Sequence, residues 1–217
     1  MLTLYSDAFL ISPYVFSCYV ALTEKAAPFE TRRVSLGNKA QLQPDYAKNT
    51  VTARVPALDH DGFWVAESTA IVEYVEDVYA GPRHPRLLPE SVRDRARARQ
   101  VLSWLRSDDT AALREERPTS SMFYERATTP LSSRGKASAD KLVEVAGRVL
   151  APAFDAHRTT LFDAWCIADA DLAFMLHRLI LNGHEVPPSI RAFADAQWKR
   201  PSVRAFVDHE RAPFVAY

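Results

Sequence analysis

Residues 54–71, Arg54 to Ile71, read R-V-P-A-L-D-H-D-G-F-W-V-A-E-S-T-A-I, and their pattern decides the fold. Val55-Pro56-Ala57-Leu58 sets a proline at the mouth of a short strand, where its missing N–H breaks no sheet ladder. Asp61-Gly62, between two apolar runs, has the chemistry of a two-residue hairpin turn. The second run ends at Glu67-Ser68, which opens a helix with Ile71, Tyr74, Val75 and Val78 on one face. A proline in such a turn commonly follows a cis bond, which presents the neighbouring backbone groups. Next to it a helix N-terminus, with free amides and the positive end of its dipole, favours a carboxylate. The stretch therefore predicts a site for a peptide-like anion, with its backbone paired beside Val55 and its carboxylate at Ser68.

Upstream, Leu2 to Tyr5 reads as a strand and Pro13 to Lys25 as a helix, with Val15, Cys18, Tyr19 and Leu22 on one face. Pro13 is a natural first helical residue, so Ser12 falls at the N-cap. Phe29 to Val34 reads as a second strand, and a short polar segment with Asp45 and Tyr46 leads into the hairpin. The order is β-α-β-α-β-β-α, with the last helix reaching about Tyr79. Gly81-Pro82, Pro85 and Pro89 form a stiff, turn-rich connection. The expected division is residues 1–80, a linker 81–90 and an all-helical part 91–217.

In that second part Ala98, Val101, Leu102 and Leu105 make an apolar stripe, with Arg93, Arg95, Arg97 and Arg99 largely off it. Residues 118–135, rich in Ser, Thr and Pro, predict a long connection. A helix is expected from about Lys136 to Phe154. Ala168 to Leu181 is apolar nearly all round and predicts a buried central helix ended by Asn182-Gly183. Pro187-Pro188 and Pro201 punctuate two shorter helices after it.

Lys plus Arg and Asp plus Glu number 27 each, a formal net charge of zero that suggests neither nucleic acid nor an anionic membrane as partner. The N-terminus has no basic stretch before an apolar run, so no signal peptide is expected. The longest apolar stretch, near Tyr14 to Leu22, is too short to span a bilayer. Two cysteines in different halves make no disulfide framework and suit a reducing cytoplasm. The six histidines show no metal-ligand spacing, and no glycine-rich phosphate loop occurs.

The strings L-Y-S, S-P-Y and E-K-A-A-P-F-E near the N-terminus, V-P-A-L, E-S-T-A-I, and I-A-D-A-D-L-A-F-M-L near the C-terminus resemble, in order and spacing, those of the glutathione transferases. D-R-A-R-A-R-Q, R-E-E-R-P-T and W-C-I-A-D resemble more finely a bacterial, YfcF-like subgroup with a serine-type, tau- or zeta-like active-site motif. The resemblance implies an α/β thioredoxin-like N-terminal domain for glutathione and an all-α C-terminal domain. It implies a cytoplasmic homodimer active in detoxification and oxidative stress, with glutathione as co-substrate, no metal, and a small hydrophobic electrophile or peroxide as second substrate.

It also implies roles for particular residues. The Ser12 hydroxyl would donate to the glutathione sulfur and favour the thiolate, the nucleophile in these reactions. A plain N-cap is the other reading of Ser12. Val55, before Pro56, would pair its backbone with the cysteinyl portion. Glu67 would face the γ-glutamyl ammonium, and Ser68 its carboxylate. Lys39 and Arg54 would reach the glycyl carboxylate, or be solvated surface cations. Tyr5 is a rival to Ser12, because some classes use a tyrosine from the first strand. Omega-like relatives carry a cysteine where Ser12 stands, and Cys18, on the apolar helix face, reads as a structural thiol. Trp104, Met122, Phe123 and Tyr124 are candidates for a second-substrate pocket expected between the domains. Two further functions stay open at this point: a glutathione-dependent disulfide reductase, and a non-catalytic binding module on the same fold.

Overall fold

A computed structural model describes residues 1–216. The chain forms two compact units, Met1–Leu87 joined by the segment from Ala205 on, and Leu88–Arg204. The first unit runs β1 (Leu2–Asp7), α1 (Pro13–Glu24), β2 (Phe29–Val34), a 3-10 turn (Ala40–Leu42), α2 (Pro44–Ala47), β3 (Ala57–His60), β4 (Phe63–Ala66) and α3 (Ser68–Val78). Its sheet has the order β2-β1-β3-β4, with β1 parallel to β2 and the other pairs antiparallel. This is the mixed sheet of a thioredoxin-like domain, as the sequence order predicts.

Period-two alternation divides the faces of the sheet. Leu2, Leu4 and Leu58 are buried on one side. Tyr5, on the opposite side of β1 from Leu4, packs with Val34, Tyr46, Ala57 and Trp64. Asp61 at φ 52 and Gly62 at φ 91 are both left-handed, the requirement of a type I′ hairpin turn. In α3 the buried residues are Ser68, Ile71, Val72 and Val75, while Val78, expected on the inner face, is 44% exposed at the last turn.

A lysine closes the far end of this unit. Lys25, the C-cap of α1, is fully buried. Its Nζ lies 2.6 Å from Glu76 Oε2 and donates to the Tyr79 carbonyl at 2.7 Å. Glu76 also accepts from Leu87 N at 2.9 Å, and His84 Nδ1 lies 2.7 Å from the Lys25 carbonyl. The buried charge is thus paired and hydrogen-bonded, the condition under which a lysine can lie inside.

The second unit holds α4 (Val92–Leu105), a 3-10 turn (Asp108–Thr110), α5 (Ala111–Glu116), α6 (Ser120–Phe123), α7 (Ser133–Asp155), α8 (Ile167–Ile180) and α9 (Pro188–Trp198), and α10 (Pro201–Val207) starts in it. The α4 stripe Ala98, Val101, Leu102 and Leu105 is buried. α7 starts earlier than expected because Ser132 caps it, accepting from Gly135 N at 3.1 Å. α8 is buried from Ile167 through Leu179 and packs against α4, α6, α7 and α9. Asp169 at its N-terminus accepts from Leu161 N at 2.7 Å and Cys166 N at 2.8 Å. No helix among the described residues is long and apolar enough to cross a membrane.

The helical part read from the sequence as 91–217 ends differently in contact terms. From Ala205 the chain packs with the first unit. Phe206 is fully buried and sits edge-on to Phe16 and Tyr19, at centroid distances of 5.2 and 5.5 Å.

Candidate functional site

The register of the sheet assembles the site. Ala57 stands opposite Tyr5 on one side and Ala66 on the other. Pro56 and Glu67, just outside β3 and β4 beyond that pair, therefore lie at the end of the sheet where β1 finishes at Asp7. Three connections leave from that end: the loop before α1, the segment ahead of β3, and the entry to α3.

Asp7 orders the first. Its carboxylate is buried and accepts from Phe9 N at 3.1 Å, Ile11 N at 3.0 Å and Ser12 N at 3.0 Å. That brings Ser12 to the N-cap of α1, as Pro13 predicts. Ser12 Oγ accepts from Val15 N at 3.4 Å, a long bond for a cap. As acceptor in that bond, the hydroxyl keeps its own proton for donation.

The second connection carries the Val55–Pro56 peptide, which is cis. The Tyr46 hydroxyl donates to the Arg54 carbonyl at 2.7 Å, and its ring lies 5.6 Å from Tyr5 and 6.1 Å from Trp64. Burial, and then the neighbouring Tyr5, push the Tyr46 phenol up in pKa, so it remains a donor. Val55 is half-buried and packs against this cluster.

At the third, Glu67 has φ 70 and ψ 121, a left-handed conformation unusual outside glycine. Thr52 Oγ1 donates to its exposed carboxylate at 2.8 Å. Ser68 is the first residue of α3 and 5% exposed, and no side chain caps this helix. Lys39, at φ 55 before the 3-10 turn, and Arg54 are exposed.

Ser12, Val55, Pro56, Glu67, Ser68, Lys39 and Arg54 all belong to the first unit. Tyr5 packs against Trp64 with ring centroids 4.7 Å apart and is hydrogen-bonded by Arg32, whose pKa that contact raises first. Its environment is the aromatic cluster. Cys18 is fully buried, its Sγ 3.7 Å from the Ser68 carbonyl, and Cys166 is buried with its thiol pushed well up by desolvation. Among the described residues no group of His, Cys, Asp or Glu could hold a metal ion.

In the second unit Met122 is buried, and Phe123 packs on Phe174 at 6.2 Å. Trp104 lines a groove of about 720 Å³ with Val101, Val145, Val149, Leu161 and Phe162. Sequence reasoning missed Asp7, Tyr46 and Thr52, which hold the site without belonging to its motif. An acidic residue at a strand end before an irregular loop was the only signal for Asp7.

The chain thus carries a thioredoxin-like domain, with a hydroxyl at the first helix N-cap and a cis-proline segment, followed by a helical domain. Comparison with known proteins makes the assignment narrower. Residues 2–77 match the glutathione S-transferase N-terminal domain and residues 91–211 the glutathione S-transferase C-terminal domain. A solved glutathione transferase homologue from Burkholderia GL BGR1, with bound glutathione, is 36% identical, at a TM-score of 0.76 over 95% of this chain and 96% of that one. Probable glutathione S-transferase GSTU1 of Oryza sativa subsp. japonica is 40% identical over 81 residues, 37% of this chain and 33% of that protein. Glutathione S-transferase U17 of Arabidopsis thaliana is 34% identical over 103 residues, 48% of this chain and 44% of that protein. These matches span a third to under half of the curated relatives' lengths. The chain belongs to the glutathione S-transferase family.

Proposed function

We propose that this protein is a glutathione transferase that binds glutathione in its first unit and uses Ser12 to hold the thiolate. The observation that carries this reading is the register Tyr5–Ala57–Ala66, which brings the Ser12 loop, the Val55–Pro56 segment and the Glu67–Ser68 entry to α3 to one end of the sheet. Val55 offers its backbone to the cysteinyl portion. Ser68 and the uncapped amides of α3 take the γ-glutamyl carboxylate, Glu67 the ammonium, and Lys39 with Arg54 the glycyl carboxylate. A free thiol titrates near pH 8.5 or about there, so donation from Ser12 Oγ and the N-terminus of α1 lower its pKa toward neutrality. The proton leaves to solvent, and the thiolate forms a C–S bond with an electrophilic carbon as the leaving group departs with its electron pair. With a peroxide it attacks one oxygen, the O–O bond breaks to release an alcohol, and a second glutathione thiol converts the resulting sulfenic acid to the disulfide and water.

The bound glutathione of the Burkholderia homologue, similar along nearly the whole chain, supports the choice of co-substrate. The bacterial, YfcF-like, serine-type placement, the homodimer and the cytoplasmic location are parts of the same proposal. Two buried thiols fit a reducing compartment.

Retention on immobilised glutathione, then turnover with a panel of electrophiles, peroxides and disulfides, tests the reading, with light scattering to report the dimer. Clean flow-through without turnover would leave a binding module. Turnover confined to disulfides would make the protein a reductase.

A further inference from the structure

Resting on the thiolate reading above, we propose that Arg211 is a positioning residue for Ser12, and that the segment after α10 is a strap fixing the loop that carries it. The loop between β1 and α1 passes through Leu10 at φ 52, a conformation that leucine does not hold unaided. One peptide unit there, Leu10–Ile11, is gripped at both polar atoms. Its N–H donates to the Asp7 carboxylate at 3.0 Å. Its carbonyl accepts from Arg211 Nε and Nη2, both at 3.2 Å.

Anion on one side and cation on the other fix the plane of that peptide, one residue before Ser12. A planar guanidinium fork sets the direction of a bond as well as its length. Arg211 is itself tied to its own segment, donating to Phe206 O at 2.7 Å, Val207 O at 2.9 Å and His209 O at 2.7 Å. The strap is anchored before and after it. Phe206 is sunk against Phe16 and Tyr19, His209 Nε2 meets Arg33 Nη2 at 3.0 Å, and Phe214 packs on Phe9 at 5.1 Å. Release of Arg211 frees the Leu10 carbonyl, lets the peptide plane turn, and moves the Ser12 hydroxyl away from the sulfur.

The test is a double-mutant cycle on the full chain with Arg211→Met and Ser12→Ala, read by ultraviolet titration of the bound glutathione thiolate and by kcat and KM. In Arg211→Met the thiol is expected to titrate at higher pH and kcat at neutral pH to fall about tenfold, since a misplacement of about 1 Å can cost on the order of a hundredfold. Glutathione affinity should change little, because the anchors at Val55, Glu67 and Ser68 are untouched. Added to Ser12→Ala, the Arg211 change should do nothing further. A merely structural role would lower the melting temperature and leave the titration curve in place. Arg211→Lys cannot fork on the carbonyl and should shift the curve less; if Arg211→Met does not fold, a parental curve in Arg211→Lys overturns the proposal. A parental curve in Arg211→Met, or an undiminished effect in the Ser12→Ala background, also overturns it. A parental curve in Ser12→Ala alone removes the thiolate reading and the strap with it, whereas a shifted curve there beside a parental Arg211→Met removes only the strap.

Discussion

Glu67→Gly separates what the backbone does at the entry to α3 from what the side chain does. At φ 70 and ψ 121 a residue with a β-carbon is strained by about 1–3 kcal/mol, and glycine is not. Against that relief stand the lost bond from Thr52 at 2.8 Å, worth about 0.5–1.5 kcal/mol, and the larger unfolded-state entropy of glycine, roughly 0.5–1 kcal/mol. The terms nearly cancel, so the melting temperature should stay within about 4 °C of the parent at roughly 2–4 °C per kcal/mol. Binding should respond differently. On the proposed pairing, removing the carboxylate deprives the glutathione ammonium of a charge-assisted bond of about 1.5–3 kcal/mol, which should weaken affinity about ten- to a hundredfold. Glu67→Gln keeps the backbone strain and loses the charge, so it should match the parent in stability and the glycine variant in affinity. Thermal melts and titration calorimetry with glutathione read both quantities. Parental affinity in both variants would remove the carboxylate from the site. A loss of more than about 2 kcal/mol in Glu67→Gly would refute the strain argument.

Two further outcomes concern charges buried away from the site. Lys25→Met leaves Glu76, only 13% exposed, without its cation and the Tyr79 carbonyl without its donor; urea melts should show a loss of about 3–5 kcal/mol, and a loss below about 1 kcal/mol would mean the network is peripheral. Burial pushes the Asp169 carboxyl up to about 6, against the backbone donors of Cys166 and Leu161. Its folded pKa lies above the unfolded value of about 3.9, so the native state keeps a proton that the unfolded chain releases, and the stability this gives is complete below about pH 4 and lost as pH rises through about 6. The stability penalty of Asp169→Asn should accordingly shrink, by on the order of 2–3 kcal/mol, between about pH 4 and about pH 7; a penalty that grows with pH would mean that the N–H donors outweigh burial.

What the sequence discloses about this chain follows the range of the interactions. Asp61-Gly62 announces its turn because both positive φ values fall on adjacent residues that tolerate them. Pro13 announces the cap at Ser12, and the nearly all-round apolarity of 168–181 announces a buried helix. Lys25 at a helix end reads as a solvated cation, and only the fold brings Glu76 and the Tyr79 carbonyl to it. The return of Phe206 to α1, and of Arg211 to Leu10, is equally silent in any local window.

The same division runs through the site and says why its identity is easier to read than its precision. The residues assigned to glutathione, Val55 and Pro56, Glu67 and Ser68, sit in two short strings whose chemistry is local. The groups that hold them lie outside those strings: Asp7 and Arg211 on the Ser12 loop, Thr52 on Glu67, Tyr46 on Arg54. Leu10 and Glu67 are both non-glycine residues at positive φ, and each is gripped by a partner from elsewhere in the chain. Strain of that kind persists only where surrounding structure over-determines it. Here the surroundings that do so are the supports of the thiol end and the γ-glutamyl end of the proposed ligand. Loosening either support should therefore cost function before it costs the fold.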